Sequence, residues 1–254
     1  MKNKKHYKFF LRNWIKPIVN PSHIKHIIPK YIKYLRDWKK YSRMKYAEDM
    51  SLKNSYPSLF DDLVKTPFDP HYFYQDIWAF KRIIKIGSDS HVDVGSRVYF
   101  IGFLTVIKKV SFIDIRPLIT DLNNLKSIKG NILSIPFEDN SITSISCLHV
   151  AEHIGLGRYG DNLDPLGTKK AAKELVRVLA KDGNLFFSLP IGKPRLCFNS
   201  HRIHSTDQIL EYFSDLELIE LSGVDDNGNY FQNINKNKLD SCDYGCGFFW
   251  FTKK

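Results

Sequence analysis

The stretch CLHVAEHIG, residues 147–155, sets His149, Glu152 and His153 in the order H-x-x-E-H. On a helix that pattern brings both imidazoles to one face as zinc ligands, with a carboxylate beside them as base. Here it follows ITSISC, a β-branched run that reads as a strand. Gly155, Gly157 and Gly160 come next and would end any helix within two turns. Zinc hydrolysis is therefore disfavoured, and no metal-ligand set is expected. A second histidine pair, His201 and His204, stands in FNSHRIHS, 198–205. Imidazole titrates near neutrality, so it suits removal of a proton from a reacting hydroxyl. His153, His201 and His204 are the candidate bases, and a core or capping role is the alternative for each.

The acids point to a nucleoside. HVDVGS, 91–96, is a short β-branched run entering a turn at Gly95, where the missing Cβ lets backbone approach a ligand. Asp114 closes VSFID and lies 21 residues after Asp93, a spacing that places an acid against ribose hydroxyls. Asn131 and Ile132 follow Gly130, where an amide can meet a base edge. After Gly95 the next glycine is Gly102, so G-x-G-x-x-G is absent. No pyrophosphate cradle is evident, which disfavours a dinucleotide and leaves a nucleoside without phosphates.

These residues need elements to hold them, and the chain alternates. HYFYQDIWAFKRIIKIG, 71–87, reads as a helix stopped by Gly87, and KKAAKELVRVLAKDG, 169–183, as a second stopped by Gly183. STDQILEYFSD, 205–215, reads as a third, capped by Ser205 or Thr206. Strands are expected at 91–96, 110–115, 130–137, 141–150, 184–191, 216–222 and 244–253. Strands alternating with helices predict an α/β fold: a mostly parallel, seven-stranded, Rossmann-like sheet with helices on both faces. No clear helix separates the last two strands, so one of them can run antiparallel. Ligands of such sheets bind at the carboxyl ends of the strands, near the switch point.

The net charge of +11 is uneven. Residues 1–45 hold 14 of the 38 Lys and Arg and one of the 27 acids, Asp37, leaving the body near neutral. That argues against a general nucleic-acid binder. Ile27, Ile28, Tyr31, Ile32, Leu35 and Trp38 recur at helical steps, with Lys30, Lys33, Arg36, Lys39 and Lys40 off the stripe. Such a helix can pack on the body or lie on an anionic membrane surface. The expected organisation is a basic amphipathic extension over residues 1–50 and a catalytic-type domain over 51–254. No apolar run is long enough to span a membrane, and no signal peptide is read at the N-terminus. A cytoplasmic protein is expected, with the inner membrane face as an open option. Cys147, Cys197, Cys242 and Cys246 are too few and too scattered for a disulfide framework and read as reduced thiols.

The order HVDVGS, SFIDIRP, GNILSIPFEDNSITSISCLHVAEHI, AAKELVRVLAKDGNLFFSLP resembles class I S-adenosylmethionine (SAM) dependent methyltransferases over residues 71–253. In detail HYFYQD, IDIRP, CLHVAEHIGLGRYGD and GFFWFTK resemble a methyltransferase-like family of unknown function found among bacterial surface-polysaccharide genes. The resemblance implies SAM as cofactor. It implies that Asp93, Gly95 and Ser96 meet the methionine part, Asp114 the ribose, and Ile115 the adenine face. Asn131 and Ile132 would meet the adenine edge, and Cys147 and His149 would lie beside the methionine part. Tyr74 and Asp76 sit in the lead-in that covers the cofactor, and Asp161 can orient a histidine, bind a sugar hydroxyl or simply hold a turn. O-methylation of a sugar or glycan is the expected reaction. A binding module without turnover stays open through the single-glycine first loop, and a nucleic-acid methyltransferase through the basic arm. Oligomeric state is not legible.

Overall fold

The β-branched run SHVDV forms β1 (Ser90–Val94), the first of the parallel strands. KVSFID forms β2 (Lys109–Asp114), LKSIK forms β3 (Leu125–Lys129), and ITSISCL forms β4 (Ile142–Leu148). β5 (Leu179–Ile191), β8 (Leu216–Val224), β9 (Tyr230–Phe231) and β10 (Gly245–Lys253) complete an eight-stranded sheet. A separate hairpin pairs β6 (Arg195–Cys197) with β7 (His201–Ile203). The order in the large sheet is β3-β2-β1-β4-β5-β10-β8-β9. β1 to β5 pair in parallel, whereas β10 runs antiparallel to both β5 and β8. The chain leaves β1 toward one edge and returns at β4, so the switch point lies between β1 and β4.

The computed structural model describes residues 27–254, which fall into two compact units, one ending at Pro67 and one over Phe68–Lys254. Part of the expected basic arm, residues 1–26, lies outside the described residues. Within the first unit, α1 (Ile27–Tyr41) carries the expected stripe but buries none of it fully. Ile27, Tyr31 and Trp38 are half-buried, while Ile28, Ile32 and Leu35 are exposed. Lys33 pairs with Asp37 one turn on. Among the described residues no helix is long and apolar enough to cross a membrane.

In the second unit the sheet separates two apolar layers. On one face α2 (Pro70–Lys85) and α3 (Val98–Leu104) bring Trp78, Ile83, Phe100 and Leu104 against Val110, Phe112, Phe186 and Phe248. On the other, α4 (Gly167–Val178), α5 (Thr206–Tyr212) and α6 (Lys236–Asp240) cover the alternate positions, including Val94, Ile145, Phe187 and Phe249. The period of two along each strand sends neighbours to opposite layers. Asp69 caps α2 by accepting from the His71 amide, with Pro70 in the first turn. Ser205 and Gln208 form a reciprocal capping box on α5.

Several expected boundaries shift. The third strand lies at 125–129, not 130–137. Gly130 ends it, and the Asn131 side chain then accepts from the Leu133 amide, a local bond that competes with strand pairing. The helix of KKAAKELVRVLAKDG stops at Val178, because Leu179 is already extended and pairs with Ile142. The apolar helix VYFIGFL and the β6–β7 hairpin carry no periodic signal long enough to read.

Glu220 on β8 holds α2 in place. Its carboxylate accepts from Arg82 Nε at 2.9 Å and Trp78 Nε1 at 3.0 Å, and only about a tenth of either charged side chain is exposed. Removing one partner strands a nearly buried charge. Glu220→Ala is expected to lower unfolding stability by about 3 kcal/mol in denaturant titration. A loss below half that would mean that water reaches the guanidinium freely.

Candidate functional site

Beneath the switch point runs a buried polar chain. His91 on β1 bonds Ser144 and Ser146 of β4 through its two ring nitrogens, at 2.7 and 2.8 Å. Ser146 donates to Asp93, whose carboxylate also accepts from the Ser96 amide at 2.9 Å and the Ser96 hydroxyl at 2.6 Å. The Leu148 amide in turn donates to the Ser96 hydroxyl. This network ties the β1 turn to the end of β4. Gly95 sits in that turn with φ of 71°, and a Cβ there would come within 3.1 Å of Val150.

Burial pushes the Asp93 carboxyl up to about 7, although the serine donors act in the opposite direction. The folded value lies above that of the unfolded chain, so the protonated acid favours the fold. That stability is present below about pH 4 and is lost as pH rises through about 7. A tenfold change in proton affinity between the two states corresponds to about 1.4 kcal/mol. Asp93→Asn is expected to flatten the unfolding free energy between pH 4 and 7. An unchanged slope would show that Asp93 is already ionised in the fold.

Above this floor a cavity of about 480 Å³ opens at the carboxyl ends of β1 to β4. Gly95, Asp114, Ile115, Asn131, Ile132, His149, His153 and Asp161 all line it. Eight positions singled out in the sequence thus share one chamber. Asp93, Ser96 and Cys147 do not line it. Asp93 and Cys147 are fully buried and Ser96 is 5% exposed. Asp93 and Ser96 shape the turn, while Cys147 faces the apolar layer under α4, because it lies one residue out of phase with Ser146.

Asp114 ends β2 and accepts from the Arg116 amide at 2.7 Å. The Arg116 guanidinium lies 5.1 Å from the centre of the Tyr159 ring, and both residues line the cavity. The loop 155–164 closes that side. Asp161 organises it by accepting from the amides of Gly155, Leu156 and Tyr159. Gly155 has φ of 80°, and a Cβ there would overlap the Asp164 carbonyl. Neither Tyr159 nor Arg116 stands out in the sequence as a site residue. The three glycines of GLGRYG are the available signal for a close-packed loop.

The histidines separate. His153 lines the cavity, and its Nδ1 lies 2.6 Å from the Ser200 carbonyl. That contact orders the ring; Arg158 Nη1 lies 3.2 Å from the same nitrogen, and Nε2 lies 3.6 Å from Glu152 Oε1. His201 is half-buried, not on the cavity wall, and its ring lies tilted against Tyr244 with centroids 5.2 Å apart. His204 is 4% exposed and also off the wall, and burial pushes it down to about 4. His149 reaches left-handed backbone, φ 56°, before the short 3-10 turn Ala151–His153. The H-x-x-E-H residues therefore do not share a helical face. His149 Nδ1 bonds Glu152 Oε1 at 2.8 Å. Burial opposes its charged form, but Cys246 and Glu152 outweigh that and raise its pKa.

Tyr74 and Asp76 lie elsewhere, because α2 turns positions 72 and 75 toward β4 and β5 and positions 74 and 76 away. Tyr72 meets the His149 ring, and Gln75 accepts from Ser188. Tyr74 stacks on Tyr230 at 5.2 Å. Asp76 lines a separate apolar groove with Phe73, Phe80 and Phe103, and burial lifts it to about 6.

Residues 122–243 match the sequence profile of a family described as Caenorhabditis protein of unknown function, DUF268. No curated protein matches the chain. Solved structures resemble the fold. The N-methyltransferase NodS from Bradyrhizobium japonicum WM9, in complex with S-adenosylhomocysteine (SAH), is 14% identical with a TM-score of 0.51. That match covers 78% of this chain and 91% of NodS. The geranyl diphosphate C-methyltransferase from Streptomyces coelicolor A3(2) is 13% identical with a TM-score of 0.51, covering 71% of this chain and 81% of its own. The [4+2]-cyclase SpnF is 14% identical with a TM-score of 0.53, covering 72% and 81%. The chain has the Rossmann-like fold of class I methyltransferases, and the cyclase among its neighbours shows that this fold alone does not set the reaction.

Proposed function

We propose that this protein is a SAM-dependent methyltransferase acting on a hydroxyl of a sugar or glycan, of the kind built into bacterial surface polysaccharides. The observation that carries the reading is that one cavity at the switch point gathers Gly95 after β1, Asp114 and Ile115 at the end of β2, and Asn131 and Ile132 after β3. Its walls suit a nucleoside. A carboxylate stands where ribose hydroxyls need an acceptor, apolar Ile115 and Ile132 flank an aromatic base, and no phosphate cradle is present. Two of the similar structures are complexes with SAH.

SAM supplies, when bound, a methyl group on a positively charged sulfur. The protein must hold the acceptor in line and take its proton. His153 is the candidate for the second task, because it lines the cavity and the Ser200 carbonyl behind it orients its ring. Charge balances in one displacement. The acceptor oxygen bonds to the methyl carbon, the carbon–sulfur bond breaks toward sulfur, and the hydroxyl proton passes to His153. The Tyr72 ring, which meets that of His149, offers a flat face for sugar C–H groups.

Calorimetric titration of the purified protein with SAM and SAH tests the cofactor reading. Saturable micromolar binding is expected. Absence of binding by both ligands to a folded protein would leave a binding module of another kind.

A further inference from the structure

Three side chains far apart in sequence meet at the carboxyl edge of the sheet. His71 stands in the first turn of α2, His149 follows β4, and Cys246 is the second residue of β10. One donor atom from each lies within 4.8 Å of the other two. His149 Nε2 is 3.1 Å from Cys246 Sγ. The His71 and His149 rings are nearly parallel, 14° apart in plane, with centroids 5.9 Å apart.

Glu152 completes the arrangement from behind. Its Oε1 holds His149 Nδ1 at 2.8 Å, which turns Nε2 toward Cys246 and His71. A carboxylate behind a histidine is how proteins fix the ring and tautomer of a metal-binding imidazole. Glu152 is fully buried, and its other oxygen, Oε2, has no hydrogen-bond partner among the described residues. A buried carboxylate left partly unpaired is costly, and a cation two atoms beyond the imidazole would offset that cost.

We propose that His71, His149 and Cys246 form a binding site for a divalent transition metal, with Zn²⁺ the ion that the donors select. Two imidazoles and one thiolate suit borderline-soft ions and not Mg²⁺ or Ca²⁺, which take oxygen. Zinc holds nitrogen at about 2.0 Å and sulfur at about 2.3 Å, which sets tetrahedral ligand atoms about 3.3–3.5 Å apart; His149 Nε2 and Cys246 Sγ are already about that close, and the wider pairs, within 4.8 Å, need to close by up to about 1.5 Å. Binding releases the Cys246 thiol proton to solvent. Three protein ligands leave a fourth position open, the pattern of catalytic rather than structural zinc. His149 also lines the cavity, so an ion there can polarise an acceptor hydroxyl. That role rests on the methyltransferase reading; the metal site itself does not. The zinc pattern weighed in the sequence paired His149 with His153, which the fold keeps apart in role: His153 bonds Ser200, and the partners of His149 come from residues 71 and 246.

The full-length protein, stripped of metal with a chelator, is titrated with Co²⁺ and then with Zn²⁺ as competitor. One equivalent is expected to bind, with a thiolate-to-cobalt band in the near ultraviolet and strong visible bands, both removed by Zn²⁺. Cys246→Ser is expected to abolish the near-ultraviolet band, and Glu152→Gln to weaken binding about 10- to 100-fold. His71→Ala, a half-buried position in a helix's first turn, is expected to weaken it at least about tenfold without unfolding the chain. A missing thiolate band in the parent protein, a band that survives Cys246→Ser, or undiminished affinity in His71→Ala would overturn the site. SAH titration on the same samples separates the two readings. Cobalt binding without SAH binding would remove the proposed reaction and keep the site, and the reverse would remove the site alone.

Discussion

His153→Ala is expected to lower kcat for methyl transfer by about 100- to 10,000-fold, while SAH affinity stays within a few-fold of the parent protein. The assay is transfer from labelled SAM to a panel of glycosides. The split between kcat and binding follows from geometry. His153 shares the cavity with Asp114 and Ile132, but its ordered nitrogen is held by the Ser200 carbonyl and not by any group assigned to the cofactor. Its loss removes a proton acceptor and leaves the nucleoside walls in place. His201→Ala serves as the comparison, because that ring lies off the cavity wall against Tyr244 and should cost much less. Equal losses in the two variants would mean that the hairpin β6–β7 as a whole shapes the acceptor site and that His153 is not the base.

Asp114→Ala is expected to weaken SAM and SAH binding by about 4 kcal/mol, near a thousandfold. Two ribose hydroxyls would each lose a hydrogen bond to a charged acceptor, worth about 1.5–3 kcal/mol apiece. The carboxylate also accepts from the Arg116 amide, so the turn after β2 loosens with it. Asp114→Asn keeps an acceptor for that amide and should recover part of the loss. Calorimetry reads both variants. Parent-like affinity in Asp114→Ala would place the ribose elsewhere and withdraw the assignment of this cavity to the cofactor.

Much of this architecture is legible in the chain. Patterns of period two and 3.6 report which face each residue offers the core, and that is local information. It locates β1, β2, β4, β5, β8, β10, α2 and α5 to within a few residues, and it raises the possibility of an antiparallel strand at the end. Asp114 and Gly95 are found by type and spacing after strand ends, where the fold presents ligands. The third strand is misplaced by the pattern because LKSIK is half-exposed and weakly apolar, while NILSIPF is more apolar but held in an Asx turn. The α3 helix escapes because VYFIGFL is apolar throughout and its length suits either state.

The chain by itself determined the doubly wound sheet, the candidate residues at its strand ends and the basic N-terminal segment. Those features depend on side-chain periodicity, on residues at fixed distance from a strand end, and on charge. Only the tertiary structure decided which of the three candidate bases meets the cavity, that Asp93 lies beneath it, that Tyr74 and Asp76 turn away from it, and that His71, His149 and Cys246 converge. Each of these depends on which strand lies beside which and on the rotation of α2 against the sheet. Pairing across 78 to 175 positions of chain is set by the burial of whole layers, and no local pattern of residues records it.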